Sequence, residues 1–278
     1  MMTIDFEYHR PDTLEQAVQI FVDLDRQGKN PVYYGGGTEI ISMGRMDNIQ
    51  AGAVIDIKGI PQCRVQEIKK DYLIIGAGVT LTEIHEANLF PLLAQAGARV
   101  ADHTIQNKVT LGGNLCGTII YREAVLPLLL AESQVLITGP GGSRTLPIDQ
   151  IFDQRIRLEH GEFIVQVFIH TSYLSRPYIH VKRTKQDKIN YPLVTICAMR
   201  VDQAVRTAFS GLCDFPFRSP ELERHLNDRK LPLTLRVEQA IAALPAEIPD
   251  NIEGSAGYRR FILKQLMTSI LTELEGPE

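Results

Sequence analysis

The sequence contains no tryptophan and only four cysteines among its 278 residues, and no two cysteines form a CxxC pair. A chain of this size with so few, scattered cysteines carries neither a disulfide framework nor an iron–sulfur centre of the ferredoxin kind. Its longest apolar run, residues 124–131, contains Pro127 and is far too short to span a membrane. With 29 Lys and Arg against 33 Asp and Glu, neither nucleic acid nor a membrane surface is an expected partner.

Motifs for several kinds of catalysis are also missing. The sequence has no HExxH, no GxSxG and no histidines at metal-ligand spacing, so zinc hydrolysis and serine acyl transfer have no support. We therefore expect no metal site and no catalytic side chain, and any redox chemistry must come from an organic cofactor. The first twelve residues lack the charged start and apolar stretch of a signal peptide, so we expect a cytoplasmic protein with reduced thiols.

The patterns that are present predict a mixed α+β protein of about two domains, at roughly 150 residues per domain. Thr13-Leu-Glu-Gln16 is a capping box, and the apolar spacing after it predicts a helix over 13–24. With β-prone runs at 31–34 and 53–57, this helix indicates a βαβ-like unit in the first 57 residues. Further along, the patterns predict strands over 72–75, 162–169 and 193–199, a hairpin around 139–142, and helices from Thr80, over 235–241 and over 258–274.

The composition of the sequence changes after about residue 170, where a polar, charged stretch at 182–188 precedes the next predicted strand. We therefore expect a first domain over 1–165, with subdomains of about 1–57 and 58–165. A second domain over 170–278 should combine a small sheet with helices.

Two glycine-rich segments are candidate binding loops. Gly35-Gly-Gly-Thr38 follows a predicted strand, and Thr110-Leu-Gly-Gly-Asn114 lies more than 70 residues later. Two backbone N–H nests converging on a diphosphate would neutralise it without Lys or Arg. From the residues alone, two unrelated glycine turns are an equal alternative. A third segment, Ile75-Gly-Ala-Gly78, lacks the third glycine and the later acid of a Rossmann fingerprint, which favours a tight turn.

Taken together, these segments give the sequence a family resemblance that covers nearly the whole chain. It resembles the FAD-binding medium subunit of the molybdenum hydroxylases, the xanthine dehydrogenase and carbon monoxide dehydrogenase family. Each motif is modest alone, but their order and spacing are specific. The resemblance rests on Phe6-Glu-Tyr-His-Arg-Pro11, Gly35-Gly-Gly-Thr-Glu39, Ile75-Gly-Ala-Gly78, Ile105-Gln-Asn-Lys-Val-Thr-Leu-Gly-Gly-Asn114, Gly211-Leu-Cys-Asp-Phe-Pro-Phe-Arg218 and Glu253-Gly-Ser-Ala-Gly-Tyr-Arg-Arg260.

The resemblance implies a fold of the vanillyl-alcohol oxidase type, with two α/β subdomains that hold FAD, followed by a C-terminal three-stranded sheet with helices. It places both glycine loops on the FAD diphosphate and Tyr191 beside the isoalloxazine ring, with Lys182 and Arg183 as further candidates nearby. No histidine lies in residues 35–42, where related flavoproteins attach flavin covalently, so we expect a noncovalent cofactor. The residues expected to bind it are Tyr34, Gly35, Gly36, Gly37, Thr38, Glu39, Ile40, Asn107, Thr110, Gly112, Gly113, Asn114, Glu123, Lys182 and Tyr191.

The sequence departs from the family pattern at two places. Gln106 stands where the family usually has an arginine, and Glu123 stands where it has an aspartate that contacts the cofactor. Both changes bear more on substrate or NAD specificity than on FAD binding itself.

The function that the resemblance implies is electron transfer through FAD. A small partner subunit with [2Fe-2S] clusters would deliver electrons, a large partner subunit with molybdopterin would oxidise the substrate, and NAD or another acceptor would receive the electrons. Two alternatives stay open at this stage. One is a self-sufficient flavin oxidoreductase, and the other is a non-enzymatic scaffold that has lost FAD.

Overall fold

The structure, a computed structural model, describes residues 5–186 and 190–276, and part of the charged stretch at 182–188 lies outside them. Within these residues the chain forms fourteen short strands, and most of the strands pair only with the next or previous strand in the sequence. The strands are β1 (Glu7–His9), β2 (Pro31–Tyr34), β3 (Ala53–Asp56), β4 (Gln66–Lys69), β5 (Tyr72–Gly76), β6 (Gln134–Gly139), β7 (Gly142–Pro147), β8 (Phe152–Asp153), β9 (Arg155–Ile156), β10 (Phe163–His170), β11 (Tyr178–Thr184), β12 (Pro192–Val201), β13 (Ala204–Ser210) and β14 (Phe217–Arg218).

Helices connect and cover these strands. Three 3-10 turns also occur among the described residues, at Ile57–Gly59, Pro61–Arg64 and Thr171–Tyr173. The α-helices are α1 (Leu14–Arg26), α2 (Thr38–Arg45), α3 (Leu81–Ala87), α4 (Pro91–Gly97), α5 (His103–Gln106), α6 (Leu111–Cys116), α7 (Val125–Leu130), α8 (Ile148–Ile151), α9 (Pro220–Leu226), α10 (Leu233–Ala242) and α11 (Ala256–Glu275).

The described chain divides into two compact units. The first contains the chain up to Ala87, His103–Gly117 and Glu132–Thr171. The second contains Asn88–Asp102, Thr118–Ala131 and the chain from Ser172 onward. Each unit therefore combines segments that are distant in sequence, which a linear reading of composition cannot detect.

The first unit opens with a three-stranded parallel sheet in the order β1-β3-β2. Helix α1 connects β1 to β2, and Thr13 caps it by accepting a hydrogen bond from the N–H of Gln16. The α1 side chains Ala17, Phe21 and Leu24 are buried. This arrangement confirms the predicted βαβ-like unit and the capping box that starts it.

The second sheet of this unit has five antiparallel strands in the order β4-β5-β10-β6-β7. The predicted hairpin is β6–β7, with Gly139 paired to Gly142. The Gly76–Gly78 segment is a turn whose N–H groups bond to carbonyls of neighbouring segments, including Val165 O and Cys63 O. The structure therefore confirms a tight turn there rather than a nucleotide loop.

The second unit is built on the antiparallel sheet β11-β12-β13-β14. Helix α11 buries one face, including Leu263, Met267 and Leu271, in a core shared with Val194 and Phe209. The apolar run 124–131 contributes the fully buried helix α7. Pro127 is tolerated in its first turn because the N–H groups there have no intrahelical acceptor.

Two features of the second unit differ from expectation. Its sheet has four strands instead of three, the fourth being the two-residue β14. Strand β11 was not predicted: its first half, Tyr178-Ile-His-Val181, is β-prone, but its second half belongs to the charged stretch. It places Lys182 in the interior, where an acidic partner compensates the charge. Among the described helices, none is both long and apolar enough to cross a membrane.

Candidate functional site

The first glycine loop joins β2 to α2 in the first unit. Strand β2 ends at Tyr34, three glycines follow, and the helix begins at Thr38. Gly37 is the N-cap residue with a φ of 72°, a left-handed conformation that glycine adopts at little cost. A Cβ on Gly37 would also collide with the ring of Tyr34. Local sterics thus require glycine at this position.

The structure brings the second glycine loop against the first. A Cβ on Gly36 would collide with the backbone carbonyl of Lys108, and one on Gly35 would lie 2.5 Å from Thr110 Oγ1. Gly112 is equally confined, since its Cβ would lie 2.7 Å from the Cβ of Ala77. The two loops therefore meet within one unit, and their shared role in binding a diphosphate stays a prediction.

The second loop does not, however, form the backbone anion nest that its glycines predicted. Its consecutive N–H groups already have acceptors within the protein: Leu111 N–H donates to Val79 O, Gly112 N–H to Ala77 O, Gly113 N–H to Thr110 Oγ1 and Asn114 N–H to Thr110 O. Glycines in this loop permit close packing instead. The side chain of Thr110, which is buried at this junction, caps α6.

The first loop has the better geometry for an anion. The first N–H groups of an α-helix have no acceptor within the helix, and the helix dipole concentrates positive potential there. In α2 these groups belong to Thr38 and the residues after it, directly beyond the three glycines. This helix start is therefore the candidate donor site for a diphosphate.

A charged cluster that the sequence motifs did not predict lies beside the first loop. Lys58 Nζ donates to Gly35 O at 2.5 Å and to Asp56 Oδ1 at 2.7 Å, and it lies 4.6 Å from the centroid of the Tyr34 ring. Tyr8 donates to the second oxygen of Asp56. Burial acts to raise the pKa of Asp56, but these hydrogen bonds outweigh it and the pKa is lowered. The only sequence signal was an acid ending a buried strand, two residues before a lysine.

The remaining candidates of the first unit surround the two loops. The Glu39 carboxylate reaches the end of α6, because a Cβ on Gly117 would lie 2.7 Å from its Oε2. Asn114 is buried in α6, Ile40 is half-buried in α2, and Asn107 is exposed at the end of α5. The structure thus collects the predicted residues of this unit around one loop junction.

Glu123 and Lys182, in the second unit, form a buried ion pair. Their Oε2 and Nζ atoms are 2.6 Å apart, and both side chains are at least 96% buried. Thr195 Oγ1 donates to Glu123 Oε1 at 2.5 Å, and Lys182 also donates to Arg99 O at 2.7 Å. Burial raises the pKa of Glu123, while Lys182 and Thr195 act in the opposite direction. Both oxygens of this carboxylate are therefore occupied by protein donors.

Tyr191, also in the second unit, precedes β12 and is 51% exposed. Its ring stacks on that of Tyr121, with centroids 4.8 Å apart and an interplanar angle of 19°. Tyr121 is a second aromatic group that the sequence did not indicate as a site residue. Arg183 is exposed on β11. An exposed, supported aromatic face of this kind can stack on a planar ring.

Comparison with known proteins identifies the family. Residues 4–171 match the family described as the FAD binding domain in molybdopterin dehydrogenase, which is more than half of the chain. The chain belongs to this family of FAD-binding domains, and FAD is its cofactor.

Relatives narrow the class further. The nicotine 6-hydroxylase medium subunit of Paenarthrobacter nicotinovorans is 27% identical over 275 residues, 96% of each chain. The carbon monoxide dehydrogenase medium chain of Hydrogenophaga pseudoflava is 27% identical over 168 residues, and the match spans 58% of each. This chain is accordingly the FAD-binding medium subunit of a molybdenum hydroxylase, an FAD-dependent oxidoreductase subunit of the xanthine dehydrogenase family.

Solved structures agree on the fold. Quinoline 2-oxidoreductase from Pseudomonas putida 86 superposes with a TM-score of 0.85 at 20% identity, covering 99% of this chain and 98% of that one. Carbon monoxide dehydrogenase from Hydrogenophaga pseudoflava superposes with a TM-score of 0.83 at 22% identity, covering 98% and 97%. At such low identity the likeness concerns the fold, which is mixed helix and sheet throughout.

The residues of the first unit fit FAD. The start of α2 offers backbone donors to phosphate oxygens, and the glycines before it let Tyr34 and the second loop pack closely against that helix start. Lys58, paired with Asp56, lies at the same loop. When bound, FAD accepts and releases electrons, a chemistry that no side chain on this loop provides.

Proposed function

We propose that this chain takes electrons from a [2Fe-2S] partner subunit and passes them through noncovalently bound FAD to NAD or another acceptor. The observation that carries the FAD half of this proposal is the junction of the two glycine loops at the start of α2. The chain's own residues bind and orient the cofactor there. No proton transfer by a side chain is required.

The proposal of two partner subunits rests on the names of the relatives and on the cysteines of this chain. The relatives are named as medium chains or medium subunits, which supports a small [2Fe-2S] subunit and a large molybdopterin subunit as partners. Burial raises the pKa of Cys63 to about 12 and that of Cys213 to about 11. The four cysteines are scattered along the sequence, and Cys63, Cys197 and Cys213 are buried, so an iron–sulfur relay fits better on another chain.

Several finer features belong to the same proposal. We assign the two-subdomain arrangement of the vanillyl-alcohol oxidase type to the FAD portion, over about 1–165, and a C-terminal domain to about 170–278. We place the assembled protein in the cytoplasm. The cofactor-binding set is the one predicted from the sequence. The start of α2 supplies the backbone donors, the second loop contributes by packing against the first, Glu123 and Lys182 contribute as a pair that holds the second unit, and Tyr191 is the ring neighbour of the flavin.

Native purification tests the proposal. We expect a yellow protein whose flavin is released on denaturation, since it is noncovalent, and which co-purifies with a small iron–sulfur chain and a large chain. A colourless protein that takes up no added FAD would refute the FAD assignment. A yellow monomer that oxidises an organic substrate without any partner would refute the subunit assignment and favour a self-sufficient oxidoreductase.

A matched pair of glycine variants tests the loop junction. Gly36→Ala places a methyl group against the backbone of Lys108, whereas Gly141→Ala places one where no atom lies within 4 Å. We expect FAD binding to be lost in the first variant and kept in the second, as measured by titration of the apoprotein with FAD. Equal FAD affinity in both would show that the junction does not hold the cofactor.

A further inference from the structure

Arg259 joins three segments of the second unit that are far apart in sequence. It lies in the first turn of α11 and is 1% exposed. All of its acceptors are uncharged oxygen atoms, four of them backbone carbonyls. They are Gly254 O at 3.3 Å from Nε; Pro192 O at 3.3 Å, Leu193 O at 2.6 Å and Gly211 O at 3.0 Å from Nη1; and Asn251 Oδ1 at 2.8 Å from Nη2.

The hydrogen bonds of Arg259 fix the start of β12 and the end of β13. Pro192 and Leu193 open β12, and Gly211 directly follows β13. Gly211 has a φ of 81°, and a Cβ there would lie 2.8 Å from Pro192 O. Glycine is needed because the two strand ends approach each other this closely. Arg259, Gly211 and the carbonyl groups of Pro192 and Leu193 therefore all serve this one junction.

The junction also positions the stacked tyrosines. Tyr191 is bonded in sequence to Pro192, whose carbonyl Arg259 holds. Tyr121, the other ring of the stack, has its backbone carbonyl bound by Ser210 Oγ at 2.7 Å, and Ser210 precedes Gly211. Each ring is thus attached to one of the two strand ends that the guanidinium connects.

We propose that Arg259 is a positioning residue that presents Tyr121 and Tyr191 as one rigid stacking surface for the isoalloxazine ring. The inference rests on the proposed function, which places Tyr191 beside the flavin, and it adds Tyr121 as the supporting ring. A buried arginine with only neutral acceptors is expensive to desolvate, and it is best explained by the need to hold several carbonyls in a fixed geometry. Lysine has fewer donors and no planar fork, so it cannot replace this arginine.

The first test uses the apoprotein, where the absence of tryptophan leaves the near-ultraviolet circular dichroism to tyrosine and phenylalanine. We expect Tyr191→Leu to remove the part of this signal that arises from the stack. Arg259→Lys should remove the same part, and the double variant should lose no more than either single one. Arg260→Lys, an exposed neighbour on α11, is the matched control and should leave the spectrum unchanged.

The second test uses the FAD-loaded full chain. An electron-rich phenol ring stacked on isoalloxazine quenches flavin fluorescence, so Tyr191→Leu should raise the fluorescence and weaken FAD binding by roughly 2- to 10-fold. Arg259→Lys should reproduce both effects, with no further change in the double variant.

The outcomes separate this inference from the proposed function. If Tyr191→Leu changes the bound flavin but Arg259→Lys leaves both the flavin and the tyrosine signal unchanged, the positioning role is refuted while the proposed function stands. If wild-type protein binds no FAD, or Tyr191→Leu leaves the flavin unchanged, the premise fails and the inference with it. Should Arg259→Lys not fold, Ser210→Ala, which frees only the carbonyl of Tyr121, must partly reproduce both signals; unchanged signals in that variant would refute the inference.

Discussion

The buried pair of Glu123 and Lys182 gives the sharpest prediction about stability. In Lys182→Met the side chain keeps its length but loses its charge, which leaves a carboxylate that is 96% buried without its cation. Removing one partner of a buried ion pair typically costs about 3–5 kcal/mol, because the remaining charge stays desolvated. Domains are stable by only about 5–15 kcal/mol, so we expect a severely destabilised second unit.

The double variant Glu123→Gln/Lys182→Met distinguishes a paired charge from two independent contributions. With both charges gone, Thr195 can still donate to the amide oxygen that replaces Glu123 Oε1 at 2.5 Å. We expect the double variant to lie within about 2 kcal/mol of wild type, well below the sum of the single losses. Urea unfolding followed by tyrosine fluorescence measures all four proteins.

Two results would refute this reasoning. If the losses of the single variants simply add in the double variant, the two side chains do not act as a pair. If Glu123→Gln unfolds like wild type but binds FAD much more weakly, the carboxylate acts on the cofactor and not on Lys182. The family resemblance implies that Glu123 contacts the cofactor, whereas the geometry favours its ion pair with Lys182.

Three further perturbations follow from the structure. Burial, followed by the charges of Arg99 and Lys182, lowers the pKa of His180 to about 4. As the pH falls, His180 is protonated in the unfolded chain before it is protonated in the folded protein. The stability contributed by neutral His180 is therefore complete above pH 6.5 and is lost as the pH falls towards 4, by up to ~3 kcal/mol. His180→Gln should flatten that part of a pH series of urea midpoints, and an unchanged slope would contradict this prediction. Lys58→Met should weaken FAD binding by roughly fivefold in titration, since the partly exposed cation is worth about 1 kcal/mol. Lys108→Met, at an exposed lysine, should leave FAD binding unchanged. Equal effects of the two substitutions would show that only the net charge of the protein matters and not the position of Lys58. Leu271→Ala should destabilise the chain by about 2–5 kcal/mol in urea, while Phe261→Ala, 58% exposed, should stay within about 0.5 kcal/mol; a small effect at Leu271 would show that α11 is not essential to the core.

Much of the fold could be predicted because local patterns carried it. The capping box at Thr13 predicted α1, and the alternating and apolar runs predicted β2, β3, β5, β10 and β12. Strand β11 was not predicted, although residues 178–181 are β-prone. The burial of Lys182 could not be predicted, because it depends on a partner 59 residues away. The same limit applied to Lys58 and Tyr121, whose neighbours come from other segments.

The sequence by itself determined the order of the motifs and the two glycine loops, since glycine spacing and helix starts are local properties of the chain, and the order of the motifs carried the family resemblance that implied FAD. Only the tertiary structure decided that the loops meet, because that contact depends on the backbone of Lys108 reaching Gly36. It also decided that the amides of residues 111–114 are already bonded, so the second loop serves packing, and the start of α2 is the proposed source of donors. A backbone N–H is identical in every sequence, and whether it is available to a ligand depends on which distant carbonyl the fold places beside it.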